Sequence, residues 1–185
     1  MKVRKYQDKD KDNLRKICIE TAVPQKNERG ERLLTLLYND YYTEHEPDNC
    51  FVLADDNDNA VGYIICAENF DAYKATFTKE YLPRVKELSF VQYLEKILAL
   101  NTFEKKYAKQ YPAHLHIDIL PGFTGHGSGS TLMETLLGHL KEKEIKGIML
   151  GVGYKNVRAI KFYKKHGFSV LKKIPKICVL MGKAL

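Results

Sequence analysis

The chain has no apolar run long enough to form a membrane-crossing helix, no C-x-x-C pair among its four cysteines, and no acidic residue after Glu144. Each absence narrows the reading. Without an apolar span, a membrane is not an expected partner. Cys18, Cys50, Cys66 and Cys178 are scattered in apolar surroundings, which excludes a paired-cysteine zinc or redox motif and reads as reduced core residues of a cytoplasmic protein. The opening residues Met1-Lys2-Val3-Arg4-Lys5 contain no apolar h-region, so no signal peptide is expected. No internal repeat or low-complexity tract is visible. What is present, 185 residues with 44% hydrophobic and 29% charged content, suits one folded domain with a proper core. The net charge of +7 is concentrated by the missing acids: Lys155, Arg158, Lys161, Lys165, Lys172, Lys173 and Lys176 all follow Glu144, with no acid after it in the sequence. Such a face is either merely solvated or attracts a polyphosphate ligand. No nucleic-acid motif accompanies it, so nucleic acid is not an expected partner.

The most informative stretch is residues 113–140. Polar and apolar residues alternate through His114-Leu115-His116-Ile117-Asp118-Ile119-Leu120, the period of a strand. Pro121 ends it, having no N–H to give. Gly122, Gly125, Gly127 and Gly129 follow, and then Leu132, Met133, Leu136, Leu137 and Leu140 form one stripe of a helix. A strand feeding a glycine-rich loop into a helix N-terminus makes an anion site, because unbonded N–H groups and the positive dipole end face the same point. Spacing excludes two familiar anion loops. Ser128-Gly129 stand where a Walker A loop needs Lys and Ser/Thr, and Ser130 stands at the third glycine of a dinucleotide fingerprint.

Gly127-x-Gly129 in this setting resembles motif A of the GNAT N-acyltransferase superfamily, with Thr124 in place of the usual Gln or Arg. Downstream, the block from Asn156 through Ala159, Phe162, Tyr163 and Gly167 to Phe168 is similar to the family's N-x-x-A-x-x-[FL]-Y-x-[KR]-x-G-F segment. The resemblance covers residues 113–168. It implies an α/β fold, a GNAT-like mixed and mostly antiparallel central sheet flanked by helices. It also implies an N-acetyltransferase that moves an acetyl group from acetyl-CoA to an amine by direct attack in a ternary complex. Ile119 and Leu120 would then bind the pantetheine arm by their backbone. The amides of Thr124, Gly125, His126, Gly127, Ser128, Gly129 and Ser130 would hold the pyrophosphate. Asn156, Ala159 and Phe162 would flank the coenzyme, and Tyr163 would protonate the leaving thiolate.

A protonated amine must lose a proton before it attacks, so a base is needed. His114, His116 and Asp118 share one strand face. His116 and Asp118 are the candidate bases, and Glu68, at the end of the preceding strand, is a third. The same H-x-H-x-D run resembles the metal motif of metallo-β-lactamase-fold hydrolases, although Ile119 occupies its final histidine position; no metal is expected. A rival of another class is a non-catalytic acyl-CoA-binding sensor on the same fold.

The remaining elements read in order. A strand at 3–6 leads to a helix through Leu14, Ile17 and Cys18, capped by Asp8 or Asp10. One helix runs from Leu33 to Tyr42, and a hairpin spans 50–67. Residues 70–112 form a helical insertion of about two helices, broken near Pro83 and Asn101, that either walls the substrate site or only extends the core. A strand at 147–153, a helix between Asn156 and Gly167, and a hairpin of 169–171 with 177–181 close the chain. A small-molecule or peptide amine is the expected acceptor. The aromatic insertion and the C-terminal hairpin are candidate homodimer surfaces.

Overall fold

The structure, a computed structural model, describes residues 1–125 and 127–185, with backbone only for 103 and 104. His126, one of the expected loop residues, lies outside the described residues. Among the described residues, seven strands form one sheet in the order β1-β2-β3-β4-β5-β7-β6. They are β1 (Lys2–Lys5), β2 (Cys50–Ala54), β3 (Ala60–Ala67), β4 (Ala113–Ile119), β5 (Gly147–Gly153), β6 (Ser169–Ile174) and β7 (Cys178–Ala184). Every pairing is antiparallel except β4 with β5. Mixed α/β with a mostly antiparallel sheet is the expected class. The closing hairpin is longer than the expected one.

Both faces of the sheet are covered. On one lie α1 (Lys11–Thr21), α2 (Glu28–Tyr38), α3 (Asp40–His45) and a helical segment made of α4 (Phe70–Thr76), α5 (Leu82–Leu88), α6 (Phe90–Asn101) and α7 (Phe103–Ala108). On the other lie α8 (Ser128–Glu142) and α9 (Val157–Lys165). The α8 stripe of Leu132, Met133, Leu136, Leu137 and Leu140 is buried as its spacing requires. Burying such side chains contributes about 1.5–3 kcal/mol each. With helices on both sides, β2 and β3 are buried at every position and carry almost continuous apolar sequence.

Three readings need correction. The expected helix from Leu33 to Tyr42 breaks at Asn39 into α2 and α3. The break turns Asp40 fully inward, where Arg15 Nε at 2.9 Å and Arg32 Nη1 at 2.5 Å hold its carboxylate. The carboxylate is buried and its two guanidinium partners are partly exposed, so the charge enters the core already paired. In the helical segment Pro83 is not a break. It sits in the first turn of α5, where its missing N–H costs nothing, and a π-helical stretch (Phe77–Tyr81) joins α4 to α5. The break is at Ser89, whose hydroxyl caps α6 by accepting from the Gln92 N–H. Asp10 occupies the N-cap position of α1, but its carboxylate takes a two-armed contact from Arg4 at 2.7 and 2.9 Å instead of capping the helix.

Candidate active site

The site begins where the sheet opens. The parallel pairing of β4 with β5 is limited to Ala113↔Ile148 and His114↔Met149. β4 stays paired to β3 as far as Ile119, and β5 stays paired to β7 along its whole length. Beyond His114 the two strands therefore diverge and leave a slot between them. On the α8–α9 side, Tyr163 shares a core cluster with Leu115, Leu150 and Val152. On the other side the slot meets a cavity of ≈ 460 Å³.

Five parts of the chain wall that cavity. Tyr38 and Tyr42 come from α2 and α3, His114 and His116 from β4, Gly151 and Gly153 from β5, and Ile174, Ile177 and Cys178 from the β6–β7 hairpin. The fifth is α6, which presents Gln92, Glu95, Lys96 and Ala99 at helical spacing. The segment expected as either wall or core extension thus supplies both, since Leu100 on another face of α6 is buried in the core.

The loop from β4 to α8 has the geometry of an anion cradle. Gly125 and Gly127 take φ of 94° and 84°, and Gly127 is the N-cap of α8 without any side-chain cap. The Ser128 N–H is used by the Gly125 carbonyl at 3.0 Å, and the first turn of α8 otherwise has no intrahelical acceptor for its N–H groups. A Cβ at Gly125 or Gly127 would meet no atom within 4 Å, so the space in front of this loop is open. A Cβ added at Gly129 would lie 3.4 Å from the Phe162 ring, so glycine there leaves α8 and α9 room to approach. Ala159 and Phe162 are partly buried against the same cluster as Tyr163. Asn156 caps α9 by accepting from the Ala159 N–H at 3.0 Å, so its carbonyl is committed to the helix and only its NH₂ is left for a coenzyme. Ser130 Oγ lies 3.1 Å from His166 Nε2, a contact sequence reasoning missed.

The titratable groups separate cleanly. Register opposite Ala67, Ile65 and Tyr63 puts His114, His116 and Asp118 on one face, as alternation requires. His116 lines the cavity, but burial and then the Lys96 charge pull it down to about 3, so it is a poor base at neutral pH. Burial pulls His114 well below its ordinary value, and its ring nitrogens have no hydrogen-bond partner among the described residues. Both rings meet tyrosines edge-on, His116 against Tyr38 and Tyr42, and His114 against Tyr73. Asp118 is pushed up to about 6 by burial, against hydrogen bonds from Tyr63 and Thr21 that favour its charged form. The Tyr63 hydroxyl donates to it at 2.6 Å, and it does not line the cavity. Glu68 lies elsewhere, ion-paired with Lys143 and hydrogen-bonded by Asn49, and is not among the cavity residues. Burial, then the charge of Asp118, raises the Tyr163 phenol above ordinary tyrosine, so it stays protonated. Its hydroxyl makes no hydrogen bond among the described residues. Also among the described residues, no three His, Cys, Asp or Glu side chains gather as metal ligands.

The family model "Acetyltransferase (GNAT) family" matches residues 12–168. The chain belongs to the GNAT acetyltransferase family. Solved structures agree with this. A protein named SsHAT is 28% identical, with TM-score 0.85, over 99% of this chain and 97% of its own. PH1933 from Pyrococcus horikoshii OT3 is 22% identical, with TM-score 0.70, over 100% and 98%. The PaiA N-acetyltransferase from Thermoplasma acidophilum, solved in complex with coenzyme A, is 17% identical, with TM-score 0.61, over 100% and 98%. The last two likenesses show the fold alone.

Within this GNAT fold the α6 residues Gln92, Glu95, Lys96 and Ala99 escaped sequence reasoning. Their i, i+3, i+4, i+7 spacing was visible, but nothing local says which structure the stripe faces. Asp118 also makes a pH-dependent contribution to this GNAT chain. Its folded value lies above its unfolded one, so its contribution to stability is full below pH ~4 and is lost as pH rises through ~6. A rise from 3.8 to about 6 corresponds to about 3 kcal/mol at 1.36 kcal/mol per unit, and residual solvent contact of this half-buried residue brings that to ~2. Asp118→Asn keeps an acceptor for Tyr63 and removes the charge. Thermal unfolding should show the variant ~2 kcal/mol more stable than the parent at pH 8 and equal to it near pH 4. A variant less stable at pH 8 would show that the carboxylate is not strained there.

Proposed function

We propose that this GNAT chain is an acetyl-CoA-dependent N-acetyltransferase that works by direct attack of an amine within a ternary complex. The observation that carries this reading is the slot between β4 and β5, which has Tyr163 on one side and the cavity on the other. The open loop at Gly125 and Gly127 suits a pyrophosphate, and the last forty residues, rich in lysine and without an acid, give that part of the chain a positive charge that favours a polyanion. When bound, the coenzyme thioester supplies an activated acetyl group. The chain's own residues do the rest. The N–H groups of Thr124, Gly125, Gly127, Gly129 and Ser130 neutralise phosphate charge. The backbone of Ile119, at the end of β4, offers hydrogen bonds to the pantetheine arm and the thioester carbonyl, whereas the Leu120 N–H is already given to the Val61 carbonyl at 3.0 Å. Tyr163 delivers a proton to sulfur. Asp118, with a value near neutrality, accepts the amine proton through solvent in the slot, and His116 is the weaker candidate for that role.

The test is to titrate acetyl-CoA into the protein by calorimetry and to follow free thiol with an amine panel. Saturable heat together with amine-dependent thiol release is expected. Heat without release would leave the sensor reading. No heat at millimolar ligand would remove the coenzyme altogether.

A further inference from the structure

Three features of the cavity, taken together, say what kind of amine it takes. The first is its surface. Leu37, Leu98, Met149, Ile174 and Leu180 line it, together with His114 and His116, whose rings are set edge-on to tyrosines. A volume of ≈ 460 Å³ suits a side-chain-sized body. The second is Gly151. It lies in mid-strand in β5, on the same side as Met149, and its φ is not positive, so the backbone does not require glycine. A Cβ there would meet no atom within 4 Å, so neighbouring packing does not require it either. What glycine leaves at 151 is room in the cavity. The third is charge. Among the described residues Glu95 is the one carboxylate on the wall; it is exposed and already accepts from Gln92 Nε2 at 2.8 Å. Lys96 lines the wall beside it, and Lys173 and Lys176, both exposed, are the sequence neighbours of the lining residues Ile174 and Ile177. A second ammonium on the acceptor would find like charge there.

We infer that the acceptor is a monoamine whose nitrogen is borne on an apolar body, and that Gly151 on β5 and Ala99 on α6 set the size of that body. The inference rests on the acetyl-transfer reading above. Two sources share this chemistry: a free apolar amine, and the first residue of a polypeptide. The mouth suits either one, since Leu98 at 55% exposure and Ile177 at 68% face outward on opposite walls. Di- and polyamines are disfavoured acceptors.

The experiment is calorimetry on coenzyme A-saturated protein with 2-phenylethylamine, a short peptide beginning with Leu, putrescine and spermidine. At least one of the two apolar amines should bind ten or more times more tightly than either polyamine, and the one that does identifies the source. Gly151→Leu and Ala99→Leu fill the cavity from opposite walls, and each should weaken that binding about tenfold or more. Circular dichroism checks that each variant is folded, and Ala99→Leu lies away from the coenzyme slot. Equal or tighter binding of spermidine overturns the inference, as does undiminished apolar binding by both folded variants. Thiol release with acetyl-CoA separates the two claims. Apolar amines that bind without being acetylated keep the cavity inference and remove the transfer reading. Spermidine that binds tightly and is acetylated does the reverse.

Discussion

Tyr163→Phe lowers turnover about 100-fold and leaves acetyl-CoA affinity within about twofold of the parent. The expectation follows from how this phenol is held. Burial and the nearby Asp118 charge both favour its protonated form, so it carries a proton at any physiological pH. Its hydroxyl has no hydrogen-bond partner among the described residues, so that proton is not already given to a protein acceptor. The ring is fixed by Phe162 at 5.4 Å and Phe168 at 5.7 Å between centroids, contacts a phenylalanine retains. The substitution therefore removes the proton source and little else. Proton delivery by a positioned group contributes about 10²–10⁴-fold, and solvent in the slot would recover part of it. Steady-state thiol release gives the turnover, and calorimetry gives the affinity. Unchanged turnover would remove Tyr163 from the mechanism. A parallel loss of affinity would make it a packing residue.

Gly127→Val reduces acetyl-CoA affinity at least about 100-fold and leaves the core folded. Gly127 has φ of 84°, a region that a β-branched residue avoids, at a cost of roughly 1–2 kcal/mol. If the loop keeps its shape, the valine side chain projects into the open space where the anion is proposed to sit. If the loop relaxes, the N-cap of α8 is lost and the N–H groups no longer converge. Either outcome costs about 2.8 kcal/mol or more of binding at 1.4 kcal/mol per tenfold. No atom lies within 4 Å of the added Cβ, so the helix stripe from Leu132 to Leu140 is untouched and far-UV circular dichroism should match the parent. Native-like affinity in the folded variant would mean that the phosphates bind elsewhere.

These two positions were legible before any coordinates, for a physical reason. Glycine at 125 and 127 is a backbone statement, and Tyr163 stands seven residues after Asn156, on the same face of a short helix. The face shared by His114, His116 and Asp118 was legible too, because alternation along a strand is rigid. Their chemistry was not. His116 reads in sequence as a near-neutral base, yet burial beside Lys96 takes it to about 3, while Asp118, the less obvious base, is raised to about 6. Proton affinity depends on what surrounds a group in space, and residues such as Lys96 are far away along the chain.

The sequence by itself determined the strand–loop–helix unit at 113–140, the second helix at Tyr163, and the alternation that gives each strand its two faces. All of these follow from spacings of a few residues, over which backbone geometry is nearly fixed. The tertiary structure alone decided that β4 and β5 part after His114, that α6 walls the cavity, and that Asp40 breaks a continuous helical pattern to meet Arg15 and Arg32. Those features arise from partners brought together across long separations. Local periodicity says which side of an element is buried but not what stands against it.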